Sequence, residues 1–152
     1  GAGKPERAIQ TLRYAVMLAA GYGVLASIAI QFTAEGIVSL FTDPSTADGA
    51  AVVRFGGQYL RGYIFDCIFA GIHFSFSGFF CACRKSGLSF LHNILAIVLM
   101  RVPGVYVTSK LFPATLLPMG LATAAGSLLS VVICLFAFGV IRRKASLVLV
   151  EE

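Results

Sequence analysis

Charged side chains are scarce in this sequence. Asp, Glu, Lys and Arg make up 12% of its 152 residues, whereas 58% of the residues are hydrophobic and the mean hydropathy is +0.88. Soluble domains carry about 25% charged residues and about 45–50% apolar ones. The composition therefore excludes an ordinary soluble domain. It predicts an all-α, polytopic membrane helix bundle, because helices satisfy their own backbone hydrogen bonds inside lipid.

The sequence also lacks the motifs of several enzymes and metalloproteins. It has no glycine-rich phosphate loop followed by Lys and Ser or Thr, and no Ser and His at a spacing that suggests a nucleophile and its base. Cys81 and Cys83 have no second ligand pair, so no zinc site is expected. The chain is thus predicted not to be an enzyme and to hold no metal or cofactor.

Four apolar runs are each long enough to cross a bilayer, for which about 20 residues are needed. They cover residues 12–34, 50–80, 88–109 and 119–141. Pro103 interrupts the third run, and the loss of a backbone donor there predicts a kink or the end of the regular helix. The lipid bilayer is therefore an expected partner, and we predict four transmembrane helices.

Basic residues are concentrated on one side of this predicted bundle, at Lys4, Arg7, Arg13, Arg84, Lys85, Arg142, Arg143 and Lys144. They lie at the ends of apolar runs rather than in one stripe, so the net charge of +5 does not indicate a nucleic-acid partner. Lys and Arg favour the cytoplasmic side of a membrane. This predicts a multi-pass protein of the cell membrane with both ends of the chain in the cytoplasm, including a tail over residues 145–152.

The second run contains ionisable side chains that are costly in lipid. Asp or Arg at the centre of a spanning helix costs roughly 2.5–3.5 kcal/mol on insertion scales. On a helical projection, five polar residues share one face within about 80°. They are Tyr59, Tyr63, Asp66, His73 and Ser77. Arg61 points to the opposite side. The shared face predicts a polar cavity, with Asp66 as the candidate for proton or cation coupling and the other four as lining residues. A packing helix whose polar side chains pair with neighbours is the alternative.

The short turn between the second and third runs predicts an antiparallel hairpin. Asp66 precedes this turn by about as many residues as Arg101 follows it, so the two reach a similar depth at ~1.5 Å per residue. We therefore predict Arg101 as the charge partner of Asp66. His73 and His92 differ in depth by two or three residues on the same count, which disfavours a haem held between them.

Several stretches resemble one family of membrane transporters. GAGKPERA at the start, GQYLRGYIFDCIFAGIHFSFSGFFCACRKSG over residues 57–87, IVLMRVPGVY and PMGLATAAGSLLS are similar to the multidrug and toxic compound extrusion (MATE) family. The resemblance covers residues 1–144 and is most specific over residues 55–104. It implies that the chain corresponds to spans nine to twelve of a twelve-span transporter, a partial carboxy-terminal lobe whose amino-terminal lobe is missing.

The resemblance also implies a function. Members of this family export organic cations in exchange for protons or sodium, by alternating access. The expected substrates are cationic, lipophilic small molecules, and the coupling ion is H⁺ or Na⁺. In some branches a carboxylate in the tenth span helps to form the cation site, and Asp66 lies in the matching span. The alternative function is a non-catalytic four-helix membrane scaffold or assembly subunit, which small-residue helix faces would serve equally well.

Overall fold

The computed structural model describes the backbone of residues 5–148 and the side chains of residues 6–143. This part of the chain is helical throughout, with short connections and no strand. The α-helices are α1 (Pro5–Ser39), α2 (Ala47–Tyr63), α3 (Phe65–Ala82), α4 (Ser86–Ala96), α5 (Val102–Leu111) and α6 (Leu117–Val148), with a π-helix at Ile97–Arg101.

Four helical units are long and apolar enough to cross a membrane. They are Glu6–Ser39, Ala47–Ala82, Ser86–Leu111 and Leu117–Arg143. The prediction of an all-α membrane bundle with four spans is therefore confirmed. α6 continues to Val148, so the first residues of the predicted tail are helical, and residues 149–152 lie outside the described part.

The second span, formed by α2 and α3, lies at the centre of the bundle. Both α1 and α6 pack against α2 and against α3. Only Ile64 interrupts the span: its N–H still donates to Leu60 O at 2.9 Å, but its carbonyl accepts from Cys67 N at 3.0 Å, three residues on. This tighter turn places Asp66 directly after an irregularity in the helix.

Small residues allow α1 to approach α3 closely. A methyl group on Gly23 would lie 2.7 Å from Ile68 Cα, and one on Gly71 would lie 2.9 Å from Ala19 Cβ. Ser27 is buried in the same contact, where its hydroxyl donates to Gly23 O at 2.7 Å. Such close backbone contact is what helices in lipid use in place of hydrophobic burial.

Two glycines form the crossing of α2 and α6. A methyl group on Gly62 would lie 2.5 Å from Leu117 O, and one on Gly120 would lie 2.6 Å from Tyr63 N. Both obstacles are backbone atoms, which no side-chain rotation can move. The crossing therefore sets the position of α6 relative to the central span.

The turn between α3 and α4 is as short as the sequence predicts. Arg84 adopts a positive φ of 59°, and Lys85 N donates to Phe80 O at 2.8 Å. A left-handed residue followed by such a bond is a common way to end a helix, although glycine is the usual residue there. The reversal fixes the hairpin on which the depth argument for Asp66 and Arg101 rests.

The third span departs from regular α-helix next to Pro103. The sequence predicts a kink or helix end at this residue. In the structure, a π-helix at Ile97–Arg101 precedes it, and α5 begins at Val102 with Pro103 in its first turn. Val102 N donates to Ile97 O, five residues back. Proline clashes with the carbonyl four residues earlier in a regular α-helix. The wider π-turn ahead of Pro103 relieves that clash and allows the helix to resume.

The first and third spans are the least covered. In each of them, only 11% of the most apolar stretch of 18 residues is buried inside the protein. The corresponding share is 28% in the second span and 33% in the fourth. Their exposed side chains are mostly large and hydrophobic, as in Leu18, Phe32, Val98 and Tyr106. Surface of this kind is expected to face lipid or other protein rather than water.

Candidate functional site

Asp66 and Arg101 form an ion pair inside the bundle. Arg101 Nη2 donates to Asp66 Oδ1 at 3.0 Å, which is the contact that the depth argument predicts. The Asp66 side chain is 8% exposed and that of Arg101 is 33% exposed. A buried charge without a partner would be strongly unfavourable, and the guanidinium of Arg101 supplies that partner.

A third helix holds the guanidinium in place. The same Arg101 Nη2 donates to Ser127 Oγ on α6 at 2.6 Å. The Arg101 stem lies over Gly126, where a methyl group would come within 3.1 Å of Nε and closer still to Cγ. The sequence suggests Ser127 only as part of a small-residue face.

The ion pair lies in the wall of a cavity of about 200 Å³ between α3, the third span and α6. The lining residues are Tyr63, Asp66, Ala70, His73, Phe74, Asn93, Ala96, Ile97, Arg101 and Ser130. Of the predicted set, Asp66, Tyr63 and His73 therefore share one cavity. Asn93 and Ser130 extend it, and sequence patterns within the second span could not reveal residues contributed by other spans.

Two of the predicted lining residues lie outside this cavity. Tyr59 stacks on the lining residue Tyr63, with ring centroids 5.7 Å apart, but does not itself line the cavity. Ser77 lies nearer the α3–α4 turn, where its hydroxyl makes a short contact with Ser89 Oγ on α4. The helical projection places Ser77 on the correct face, but α4 approaches α3 there and fills the space.

His73 and His92 lie closer together than the sequence predicts. Their ring centroids are 5.4 Å apart with the planes at 68°, and both residues are buried. The expected difference in depth does not keep the rings apart, because the side chains span it across the contact between α3 and α4. His92 Nδ1 lies 3.3 Å from Ser130 Oγ, and Ser130 Oγ donates to His92 O at 3.2 Å.

A second ion pair lies away from the cavity, as the projection predicts for Arg61. Arg61 Nη2 lies 3.2 Å from Glu35 Oε1 on α1, with side chains 34% and 51% exposed. Gln31 Nε2 donates to the Arg61 carbonyl at 3.0 Å. These contacts join α1 to α2 and account for Arg61 as a structural residue.

Both partners of the buried pair lie beside helix irregularities. Asp66 follows the interruption at Ile64, and Arg101 is the last residue of the π-helix. Interrupted helices near the membrane midplane line ion and substrate sites in many transporters, and π-turns often mark functional positions. Non-α backbone therefore lies next to the ion pair on both helices.

The cavity offers one carboxylate and no metal-binding cluster. Among residues 6–143, no group of three or more His, Cys, Asp or Glu side chains is placed to hold a metal ion. Asp66 supplies the only carboxylate among the residues that line this cavity, where Tyr63 and Ser130 add hydroxyl oxygens and Asn93 an amide.

A four-span helical bundle with a buried ion pair facing a polar cavity is typical of membrane transporters. Comparison with protein families agrees: the MatE family model matches residues 1–107. The chain therefore belongs to the MatE family of multidrug and toxic compound extrusion transporters, whose members are transporters and not enzymes. No match was found among curated proteins or solved structures.

The family match covers the first two spans and most of the third. The sequence resemblance extends further, through the fourth span, but residues 108–152 lie outside the match. The numbering of the four spans as nine to twelve therefore stays a prediction. So do the roles of the individual site residues, since a family match by itself assigns none of them.

Proposed function

We propose that this chain forms part of a secondary active multidrug efflux transporter. In this proposal, organic cations leave the cell in exchange for protons or sodium ions. Residues 1–144 contribute a partial carboxy-terminal lobe, which works against an amino-terminal lobe of the same transporter. Cationic, lipophilic small molecules are the substrates.

The observation that carries the proposal is the charge pair of Asp66 and Arg101 in the cavity wall. Asp66 as a whole residue is 5% exposed, yet it lines a cavity large enough for water or a small cation. A charged group at this depth is costly and therefore indicates function. A purely structural pair, such as that of Arg61 and Glu35, needs no cavity beside it.

Exchange of partners at Asp66 gives the coupling step. When a proton or Na⁺ binds Asp66, the guanidinium is released from the carboxylate but keeps its hydrogen bond to Ser127. The π-helix that ends at Arg101 can then tighten or shift, because its hydrogen bonds already depart from the α-pattern. Rocking of one lobe against the other would follow this local change.

The orientation forms part of the proposal. Most of the basic residues lie at the start of the first span, at the end of the fourth span and in the turn after α3. The proposal assigns these three places to the cytoplasmic side. The connections around residues 40–46 and 112–116 then face outward. Cysteine accessibility to a membrane-impermeant reagent, at a position in each connection, tests this assignment.

Asp66→Asn in the intact transporter tests the coupling role. We expect ethidium efflux from cells to be lost while the amount of protein in the membrane is unchanged, because an amide cannot exchange a cation for Arg101. Glu35→Gln is the matched control, since it neutralises the carboxylate of the other ion pair. Efflux that persists in Asp66→Asn would refute the role of Asp66, and assays in sodium-free, pH-clamped vesicles identify the ion.

A further inference from the structure

Two buried imidazoles lie beside the ion pair and have no assigned role. His73 is 3% exposed and His92 is fully buried, and their rings are in contact. His73 lines the same cavity as Asp66. Buried polar groups in folded proteins are almost always hydrogen-bonded, so each exception calls for an explanation.

Each ring has one buried nitrogen without a partner. These atoms are His73 Nδ1 and His92 Nε2. Ser130 explains the state of His92: its single hydroxyl proton is donated to His92 O, so its oxygen must accept from His92 Nδ1–H. The tautomer of His92 that satisfies both contacts carries its proton on Nδ1, which leaves Nε2 as a bare, buried base.

We propose that His73 and His92 form a second proton-binding site, in which one proton is shared between the two imidazoles. The proton enters from the cavity and binds a ring nitrogen lone pair, and the resulting N–H donates to the unprotonated nitrogen of the other ring. Rotation of the His73 ring about its Cβ–Cγ bond, which is a soft torsion, supplies the alignment, while the contact with Ser130 holds the His92 ring. One proton thereby satisfies both of the unpartnered nitrogens.

The surrounding charges give this site a consequence. The titratable and charged groups around the pair are Asp66 on α3, Tyr63 at the end of α2 and Arg101 on the π-helix. With the imidazoles neutral, Asp66 and Arg101 compensate each other. A proton on the pair makes the cavity wall net positive, which repels an organic cation or Na⁺ from Asp66. Protonation of the pair and loading of a cation therefore oppose each other.

This consequence rests on the proposed antiport, but the shared proton can be measured without transport. The test is ¹⁵N NMR of histidine-labelled intact protein in lipid bilayers, titrated between about pH 4 and pH 9, across which a perturbed imidazole titrates. His73→Gln and His92→Gln assign the two rings. In the wild type, we expect both ring signals to move in one common step. In each variant, we expect the midpoint of the remaining histidine to shift by about one pH unit or more.

Ser130→Ala provides a variant that keeps both rings. It removes the acceptor of His92 Nδ1–H, so we expect the proton of neutral His92 to move in part to Nε2, which ¹⁵N shifts report directly. An unchanged tautomer would contradict the assignment of Nε2 as the base. Rings that titrate independently, each with a midpoint unaffected by substitution of the other, would overturn the shared site, and so would the absence of any titration.

Efflux measurements separate this inference from the proposed function. His92→Gln, at the ring that does not line the cavity, should retain ethidium efflux but flatten its pH dependence, which for one coupled proton reaches about tenfold per pH unit on its steep limb. A steep profile that persists in His92→Gln counts against the pair. If Asp66→Asn leaves efflux intact while the imidazoles titrate together, the coupling role of Asp66 fails and the shared proton site stands.

Discussion

Removal of the guanidinium of Arg101 should destabilise the protein far more than removal of that of Arg61. Arg101→Gln leaves Asp66, whose side chain is 8% exposed, as an unpaired charge. Unit charges 3.0 Å apart attract by about 5 kcal/mol at an effective dielectric constant of about 20. Loss of one partner of a buried pair costs about 3–5 kcal/mol, because the other charge stays desolvated.

The matched control is Arg61→Gln. The side chains of Arg61 and Glu35 are 34% and 51% exposed, and an exposed pair contributes only about 0–1 kcal/mol. At about 2–4 °C per kcal/mol for a chain of this size, Arg101→Gln should lower the melting temperature by about 6–20 °C and Arg61→Gln by a few degrees at most. Size-exclusion profiles of heated, detergent-solubilised protein measure both shifts.

A double-mutant cycle shows whether the effect belongs to the pair. Asp66→Asn removes the stranded charge, so the double variant with Arg101→Gln should melt above Arg101→Gln alone. The interaction energy should exceed about 1 kcal/mol, the upper part of the range for exposed pairs. The reasoning is refuted if Arg101→Gln costs no more than Arg61→Gln, or if Asp66→Asn fails to rescue it.

Two further predictions concern glycines of α6. Gly126→Ala places a methyl group against the side-chain carbons of Arg101 and should reduce ethidium efflux. A methyl group at Gly139 would meet nothing within 4 Å. Gly139→Ala should therefore leave efflux unchanged and stabilise the helix by up to about 1 kcal/mol. Equal efflux in the two variants would contradict a role for the Arg101 position. Gly120→Ala meets the backbone of Tyr59 and Tyr63 and should lower the melting temperature relative to Gly139→Ala, and equal melting would disprove the close crossing of α2 and α6.

The sequence predicted the helical class and the number of spans for a simple reason. Long apolar runs with few charges have few stable forms in lipid, and composition reports them directly. The hairpin between α3 and α4 also followed from sequence, since a turn of a few residues forces its helices to be antiparallel. That constraint was enough to pair Asp66 with Arg101 by depth alone.

Contacts between spans could not be predicted in the same way. A projection of one helix gives the direction of a side chain but not which neighbour meets it, so Ser77 was placed in a cavity that α4 in fact fills. For the same reason, a count of residues from the turn puts His73 and His92 at different depths but does not reveal that their rings are in contact. Ser127 and Ser130 carry no signal beyond their small size until α6 is in place.

The sequence by itself thus determined the membrane environment, the spans and the candidate charges, because these depend on local composition and on rise per residue. Tertiary structure alone decided which polar groups share a cavity. Close crossings at glycines such as Gly62 and Gly120 set the position of α6. The π-turn before Pro103 sets how the helix leads into and out of Arg101. The crossings arise from contacts between atoms distant in sequence, which no periodicity records. The π-turn is local, but it departs from the α-helical period that a projection assumes.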